Sequence, residues 1–555
     1  MEELLLNKPE GKVILLGNEA IVRGALEAGV NFVSTYPGTP ASEIGDLFFK
    51  IANKVGVYFE FSTNEKVALE AGIGASFSGL KTLVAMKSFG LNVALDALLP
   101  FLYTGTKGAT VIIVADDPSC HSSAQSEENI RPISYLAHIP ILEPSDPQEC
   151  KDFTKLAFQI SEKFKIPVMI RTTTRVAHQR MPVRLNPIRA TRPGGVVGKF
   201  VKEPKRFITL PPRVLEMKKE LLEKIKKAQQ FSEKSPINLI SRGQTSAKSG
   251  RGIITAGVSY LYVMEALKEL KISLPVLKLG FFYPLPEEKI KNFIKNFKKV
   301  LVIEELEPYL EKEVERLAKD VNCKLKVIGK DLIPEVGELK PEQVTSAIAK
   351  FTGLKIACPV GSRRLSFGEN LKLKIPRRLP QLCPGCPYWL VISAIKKAVD
   401  LKKVIFGGEI GCYMLFGNSP INLQDYLSCM GSSVGIAHGI KKATGQKIIT
   451  FVGDSSFFHA GIPALINTVF NKSNPLIIIL ENRTTAMTGH QPHPGAPVIP
   501  NGIKIEEIVR ACGVKNLKAI DPINQKEFIT TIKEFLNKKE TSVIIAQRPC
   551  IWIKK

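Results

Sequence analysis

This sequence predicts a multi-domain α/β protein built on doubly wound parallel sheets, and three observations carry that expectation. At 555 residues the chain is too long for one core, and three or four domains of ordinary size are expected. Short β-branched apolar runs alternate with helix-length stretches over residues 1–185, 251–355 and 376–555, the order that builds a parallel sheet covered by helices. Two apolar runs end on polar pairs, Gly453-Asp454 and Glu481-Asn482, as strands do when their carboxyl ends line a ligand crevice.

In chain order, GKVILLG reads as a strand, NEAIVRGALEAG as a helix, and NFVSTYPGTP as a strand entering a turn. TNEKVALEAGIGASFSG is a helix rich in small residues, expected to pack closely on its neighbours, and KTLVAMKS and GATVIIVADDP are further strands. Residues 186–250 form a basic connector punctuated by Pro and Gly, with one amphipathic helix around Val214–Phe231. Residues 251–355 return to α/β order, residues 356–375 make a second linker, and residues 376–555 form the last α/β domain. No repeat of solenoid length is present.

Composition narrows the classes. No apolar run reaches the length of a membrane-spanning helix. The opening MEELLLNKPEGK does not read as a signal peptide, so the expected compartment is the cytoplasm and no membrane partner is expected. The net charge of +25 favours acidic partners. Much of it lies in Lys-rich helices such as Glu216–Lys227 and Glu287–Lys299, which read as solvated faces, and no nucleic-acid fold signature accompanies it. An acidic small redox protein is another candidate partner. Ten cysteines are too few for a disulfide scaffold, and clustered cysteines in a cytosolic chain read as metal ligands.

The polar strand ends carry the chemistry. Asp454 and Asn482 are expected side by side, one hard oxygen each. With a nearby backbone carbonyl, such a pair can hold Mg²⁺ against a diphosphate, because Mg²⁺ completes its shell with phosphate and water. Read alone, Gly-Asp after a strand marks only a turn. A Gly-Asp followed just under thirty residues later by Asn resembles the thiamine diphosphate (ThDP) binding motif. LCPGCP places Cys383 and Cys386 in a Cys-x-x-Cys, which alone reads equally as a zinc hook or a redox dithiol. The other candidate ligands are Cys412, Cys429, Cys512 and Cys550, and four thiolates distant in sequence can hold a [4Fe–4S] cluster. Cys429 sits in SCMGSSVGIAHG and is expected as a small buried residue at a helix start.

Taken in order, CPGC, Ile-Gly-Cys about 25 residues on, Gly-Asp, and a late Pro-Cys resemble the ThDP domain of the 2-oxoacid:ferredoxin oxidoreductases. The resemblance implies that Cys383, Cys386, Cys412 and Cys550 hold a [4Fe–4S] cluster. It further implies that Gly411, Gly453, Asp454, Ser455, Asn482 and Thr484 contact ThDP or its Mg²⁺. In STNEKVALEAGIGAS it places Glu65 as the catalytic glutamate beside the cofactor's pyrimidine N1′; without it, Glu65 is an ordinary acid in a first helical turn. Tyr36-Pro37-Gly38-Thr39-Pro40 resembles the family's Tyr-Pro-x-Thr-Pro turn, with Thr39 offered to the substrate, while His121 and Ser122 in ADDPSCHSSAQSE are substrate-facing candidates.

Across essentially the whole chain the strings resemble the α subunits of the indolepyruvate branch of that family. That implies a ThDP pyrimidine-binding domain over 1–185, a transketolase C-terminal-like domain over 251–355, and a ThDP diphosphate- and Mg²⁺-binding domain over 376–555. It also implies an aryl pyruvate and coenzyme A as substrates, ferredoxin as electron acceptor, a smaller β subunit as partner, and a dimer of α–β pairs. Two departures stand out. Pyruvate-using relatives place an arginine near Asp117 and an Asn where this chain has Met487, changes that fit a less polar substrate. The indolepyruvate α subunit usually ends in a ferredoxin-like domain, where this sequence ends at Lys555. Two other readings remain: a non-oxidative ThDP decarboxylase, and a non-catalytic docking or regulatory subunit.

Overall fold

The computed structural model describes residues 2–6, 11–123, 126–188, 198–241, 250–354, 380–496 and 502–553. The linker expected at 356–375 lies outside the described residues, as do residues 189–197 and 242–249 of the basic connector. The chain divides into two compact units, Met1–Lys374 and Ile375–Lys555.

The first unit holds a seven-stranded sheet whose strands run in space Phe281–Tyr283, Ile141–Leu142, Val168–Thr173, Thr110–Asp116, Thr82–Lys87, Phe32–Thr35, Tyr58–Phe61. Every neighbouring pair is parallel except the first. Its central strands are buried along their whole length, which is why they read as continuous apolar runs rather than alternating ones. A five-stranded sheet follows, in the order Lys326–Ile328, Lys299–Ile303, Arg251–Ala256, Val276–Leu279, Leu239–Ser241, parallel except for the last pair. One apolar core serves both sheets.

Two features depart from the plain alternation. The first strand, Lys12–Leu16, stays out of the parallel sheet and pairs antiparallel with Arg180–Arg184 as a two-stranded ribbon. The run Val276–Tyr283 divides at Gly280, so that its second half joins the other sheet. Asn238 makes this possible by accepting the amides of Gly280 (2.9 Å) and Phe281 (3.0 Å) on one side-chain oxygen. A Cβ at Gly280 would stand 2.8 Å from Ile237.

The helix Glu65–Phe77 packs closely, as its small residues predict. Asn64 caps it by accepting the Val67 amide (2.9 Å), and a Cβ on Gly72 would meet Val84 at 2.6 Å. The amphipathic helix of the connector spans Arg213–Lys234, with Met217, Leu221, Ile225 and Ala228 on its buried stripe.

The second unit is a six-stranded, wholly parallel sheet in the order Tyr426–Leu427, Val404–Gly408, Lys447–Gly453, Leu476–Glu481, Ser542–Gln547, Asn516–Ile520. Alternate residues feed two cores. Ile449, Phe451, Ile478 and Leu480 face one, and Val452, Ile477, Ile479 and Ile545 face the other. The architecture is thus the α/β, parallel-sheet one that the sequence predicts. Among the described residues no helix is long and apolar enough to cross a membrane.

Candidate active site and cysteine cavity

In the second unit, Gly453 pairs with Leu480 at the ends of two adjacent strands, so the chain leaves the sheet at Asp454 beside Glu481-Asn482. Asp454 Oδ2 accepts the amides of Asn482 (3.0 Å) and Arg483 (2.7 Å), and Oδ1 accepts that of Ser455 (2.8 Å). Asn482 Oδ1 accepts the Thr484 amide (3.1 Å), while its Nδ2 donates to the Tyr388 hydroxyl (2.9 Å). Ser455 Oγ lies 3.0 Å from Thr485 Oγ1. Asp454, Asn482, Thr484 and Ser455 are therefore brought together. Asp454 is 2% exposed and Asn482 7%. The one basic side chain paired with Asp454 among the described residues is His493, whose Nε2 lies 3.1 Å from Oδ2 without hydrogen-bond geometry. A buried carboxylate so lightly compensated, beside a second hard oxygen, fits a small divalent cation.

After Asp454 the helix opens into a π turn, Phe457–Gly461. Pro463, which has no N–H to give the preceding turn, follows it after one residue, Ile462. Gly411 and Gly453 line the ring of Tyr413, where a Cβ would intrude to 2.3 Å and 2.9 Å. The Tyr413 hydroxyl donates to Glu409, which also accepts the amides of Gly431 (2.9 Å) and Gly453 (3.4 Å). Burial pushes the Glu409 carboxyl up to about 7. Glu409, Tyr413, Tyr388 and His493 join the site without belonging to any of the motifs above. For Glu409 a signal existed: an acid closing an apolar run in GEIGC repeats the pattern of Gly453-Asp454.

Cys383, Cys386, Cys412 and Cys550 all line one cavity of about 280 Å³, together with Asn482 and His490. Strand register explains Cys550: Glu481 pairs with Gln547, and the chain continues until the Cys550 amide donates to the Asn482 carbonyl (3.0 Å). Burial, reinforced by the other three sulfurs, pushes the Cys412 thiol up to about 12, and burial raises Cys386 to about 11. No three His, Cys, Asp or Glu among the described residues are grouped to hold a metal ion. The donor set, four sulfurs around one cavity, suits a cluster that spreads its thiolates over several irons. Cys429 is exposed, contrary to expectation. It lies before the helix Ser432–Thr444, and its carbonyl accepts the Ser432 amide (3.0 Å), so it caps from outside.

In the first unit, Glu65 begins its helix only 5% exposed. A Cβ on Gly90 would stand 2.5 Å from Glu65 Cγ and 2.8 Å from Oε1, so this glycine makes room for the carboxylate. Thr39 Oγ1 lies 3.4 Å from Ser42 Oγ, and the Thr39 carbonyl accepts the Ser122 hydroxyl (3.2 Å). His121 Nε2 is 3.4 Å from Glu338, which Arg175 also engages (2.8 Å). The same loop is fastened twice more: Ser119 Oγ accepts the Glu338 amide (2.6 Å), and Glu127 accepts that of Gly337 (3.0 Å). His121 thus belongs to a clasp between two loops.

The profile of the family described as "Pyruvate flavodoxin/ferredoxin oxidoreductase, thiamine diP-bdg" matches residues 23–217. That described as "Thiamine pyrophosphate enzyme, C-terminal TPP binding domain" matches residues 409–546. The indolepyruvate oxidoreductase subunit IorA of Methanothermobacter thermautotrophicus is 44% identical over 99% of this chain and 88% of its own length. This chain belongs to the IorA family. The Pyrococcus horikoshii member is 42% identical over 99% of this chain and 87% of its own. A solved 2-oxoglutarate:ferredoxin oxidoreductase from Magnetococcus marinus shares the fold at TM-score 0.50 and 18% identity, over 62% of this chain and 66% of that one. As an IorA-family member the chain is an oxidoreductase subunit carrying ThDP-binding domains.

Proposed function

We propose that this chain catalyses the oxidative decarboxylation of an aryl pyruvate with coenzyme A, giving the acyl-CoA, CO₂ and two electrons that pass to ferredoxin. The carrying observation is convergence: four cysteines from three separate segments line one cavity, and Asn482 of the candidate Mg²⁺ pair lines it too. An electron route from ThDP to a [4Fe–4S] cluster needs that proximity. The aryl preference rests on the name borne by the relatives, indolepyruvate oxidoreductase.

ThDP supplies, when bound, the carbanion-stabilising chemistry that lets a 2-oxoacid lose CO₂. The chain's residues do the rest. Asp454, Asn482 and the Thr484 carbonyl would hold Mg²⁺ at the diphosphate, with Ser455, Gly453 and Gly411 around it. Glu65 would hold a proton at pyrimidine N1′, and burial keeps its carboxyl out of bulk water. Thr39 would offer its hydroxyl to the oxoacid. Cys383, Cys386, Cys412 and Cys550 would hold the cluster. The domain assignment 1–185, 251–355 and 376–555 belongs to the same reading, as do a β-subunit partner, a dimer of α–β pairs and a cytoplasmic setting.

The test is anaerobic co-purification with the β subunit, iron and sulfide analysis, and viologen reduction. About four irons per chain and coenzyme A-dependent dye reduction with indolepyruvate, faster than with pyruvate or 2-oxoglutarate, are expected. An iron-free protein that releases CO₂ without reducing the dye would overturn the oxidative reading in favour of a plain decarboxylase.

A further inference from the structure

In the seven-stranded sheet, Phe32–Thr35 and Thr82–Lys87 are neighbours, yet the chain leaves them in opposite directions. The first leads outward to Tyr58–Phe61 and the second the other way to Thr110–Asp116. The carboxyl ends of such a pair open a ligand crevice. Thr35 is in register with Ala85, so Lys87, two residues on, stands beside the turn that begins at Tyr36. Its stem is packed there: a Cβ on Gly38 would meet Lys87 Cγ at 2.9 Å and Cδ at 3.0 Å.

The Lys87 ammonium donates to Ser123 Oγ (2.9 Å) and to the Ser122 carbonyl (3.4 Å), and it lies 4.7 Å from the Phe89 ring centroid. Burial lowers its pKa, against the opposing pull of Asp117, Glu65, Glu128 and the Cys120 thiol. Those acids face it from the loop after one strand and from the helix Glu65–Phe77, yet among the described residues none forms an ion pair with it. Asp117 is committed to Thr174 Oγ1 (2.5 Å) and the Ser122 amide (2.7 Å), and Glu128 to Asn92 (2.9 Å). A desolvated cation with neutral partners only is costly to keep, and an anionic ligand would compensate it.

We propose that Lys87 is the group that recognises the carboxylate of the substrate, with Ser123 orienting its ammonium. Arg175 and His178 nearby are engaged by Glu338 and Glu43, so among the described residues Lys87 is the cation that a carboxylate entering this crevice would meet without an acid in direct contact, and that fixes which end of the substrate points at the strand ends. The proposal rests on the 2-oxoacid reading above and adds the residue that selects the acid.

The test uses the enzyme assembled with its β subunit and two variants. Lys87→Met keeps the stem packed on Gly38 and removes the charge; Lys87→Arg keeps the charge. Lys87→Met should raise KM for the 2-oxoacid about 10- to 100-fold, the worth of a charge-assisted hydrogen bond. KM for coenzyme A should stay put, and Lys87→Arg should recover most of the loss. Calorimetry with indole-3-propionate and its primary amide gives a readout without turnover: the unmodified enzyme should prefer the acid, and Lys87→Met should bind both alike. Unchanged KM with retained preference for the acid overturns the role of Lys87 and leaves the functional reading intact. A Lys87-dependent preference for the acid in an enzyme that oxidises no 2-oxoacid leaves the anion site standing and overturns the functional reading instead.

Discussion

Glu65 and Cys412 are the single residues on which the proposed chemistry turns, and they can be separated experimentally. Glu65→Gln preserves shape and hydrogen bonding beside Gly90 but holds no exchangeable carboxyl proton. It should lower dye reduction by at least about 10²-fold, the lower range for a lost acid–base group, while iron content stays that of the unmodified protein. Cys412→Ser should do the reverse, lowering iron and abolishing dye reduction while ThDP still binds, as followed by calorimetry. Full activity in the first variant, or full iron in the second, would remove that residue from the reading. At this scale the sequence spoke where residue type and order were both distinctive. The Gly-Asp/Asn pair could be picked out because adjacent strand ends bring it together, and the four cysteines because their order resembles that of a known family. Tyr413 and Lys87 could not, since a phenol or a lysine in an apolar context gains meaning only from what stands across from it. His121 drew attention as a histidine in a polar loop, and its partner, Glu338, lies 217 residues away, beyond any local pattern.

Elements were legible where periodicity was strong, and less so where a local side chain redirected the backbone. The division of the Val276–Tyr283 run depends on Asn238 and Gly280, and nothing in apolar patterning announces it. The helix Glu65–Phe77 offers a controlled comparison within one element. Gly72→Ala would press a methyl to within 2.6 Å of Val84. Overpacking of about 1–3 kcal/mol should then outweigh the roughly 1 kcal/mol that Ala gains over Gly in a helix. At Gly74 a Cβ meets nothing within 4 Å, so Gly74→Ala should stabilise by roughly 0.5–1 kcal/mol. Shifts of opposite sign in the apparent melting temperature are expected from thermal unfolding, and equal shifts would contradict the close packing of this helix on the sheet.

For the whole molecule, the net charge of +25 is a statement about encounter rather than fold. If an acidic ferredoxin is the acceptor, kcat/KM for it should fall steeply between low and physiological ionic strength, where the Debye length shrinks to about 8 Å. Reduction of a small cationic viologen should not follow that trend. A salt-independent rate with ferredoxin would dissociate the charge from electron transfer.

The fastening of the loop that bears Ser119, His121 and Glu127 onto Gly337 and Glu338 has a consequence for inheritance and for design. A loop held only by its own ends can be exchanged as a cassette, and substrate choice then drifts by short swaps. Here, two stretches of the gene far apart from one another encode the two halves of one fastening. A graft of residues 117–128 alone would arrive without its counterpart, so changes in selectivity around this crevice should travel as linked pairs of segments.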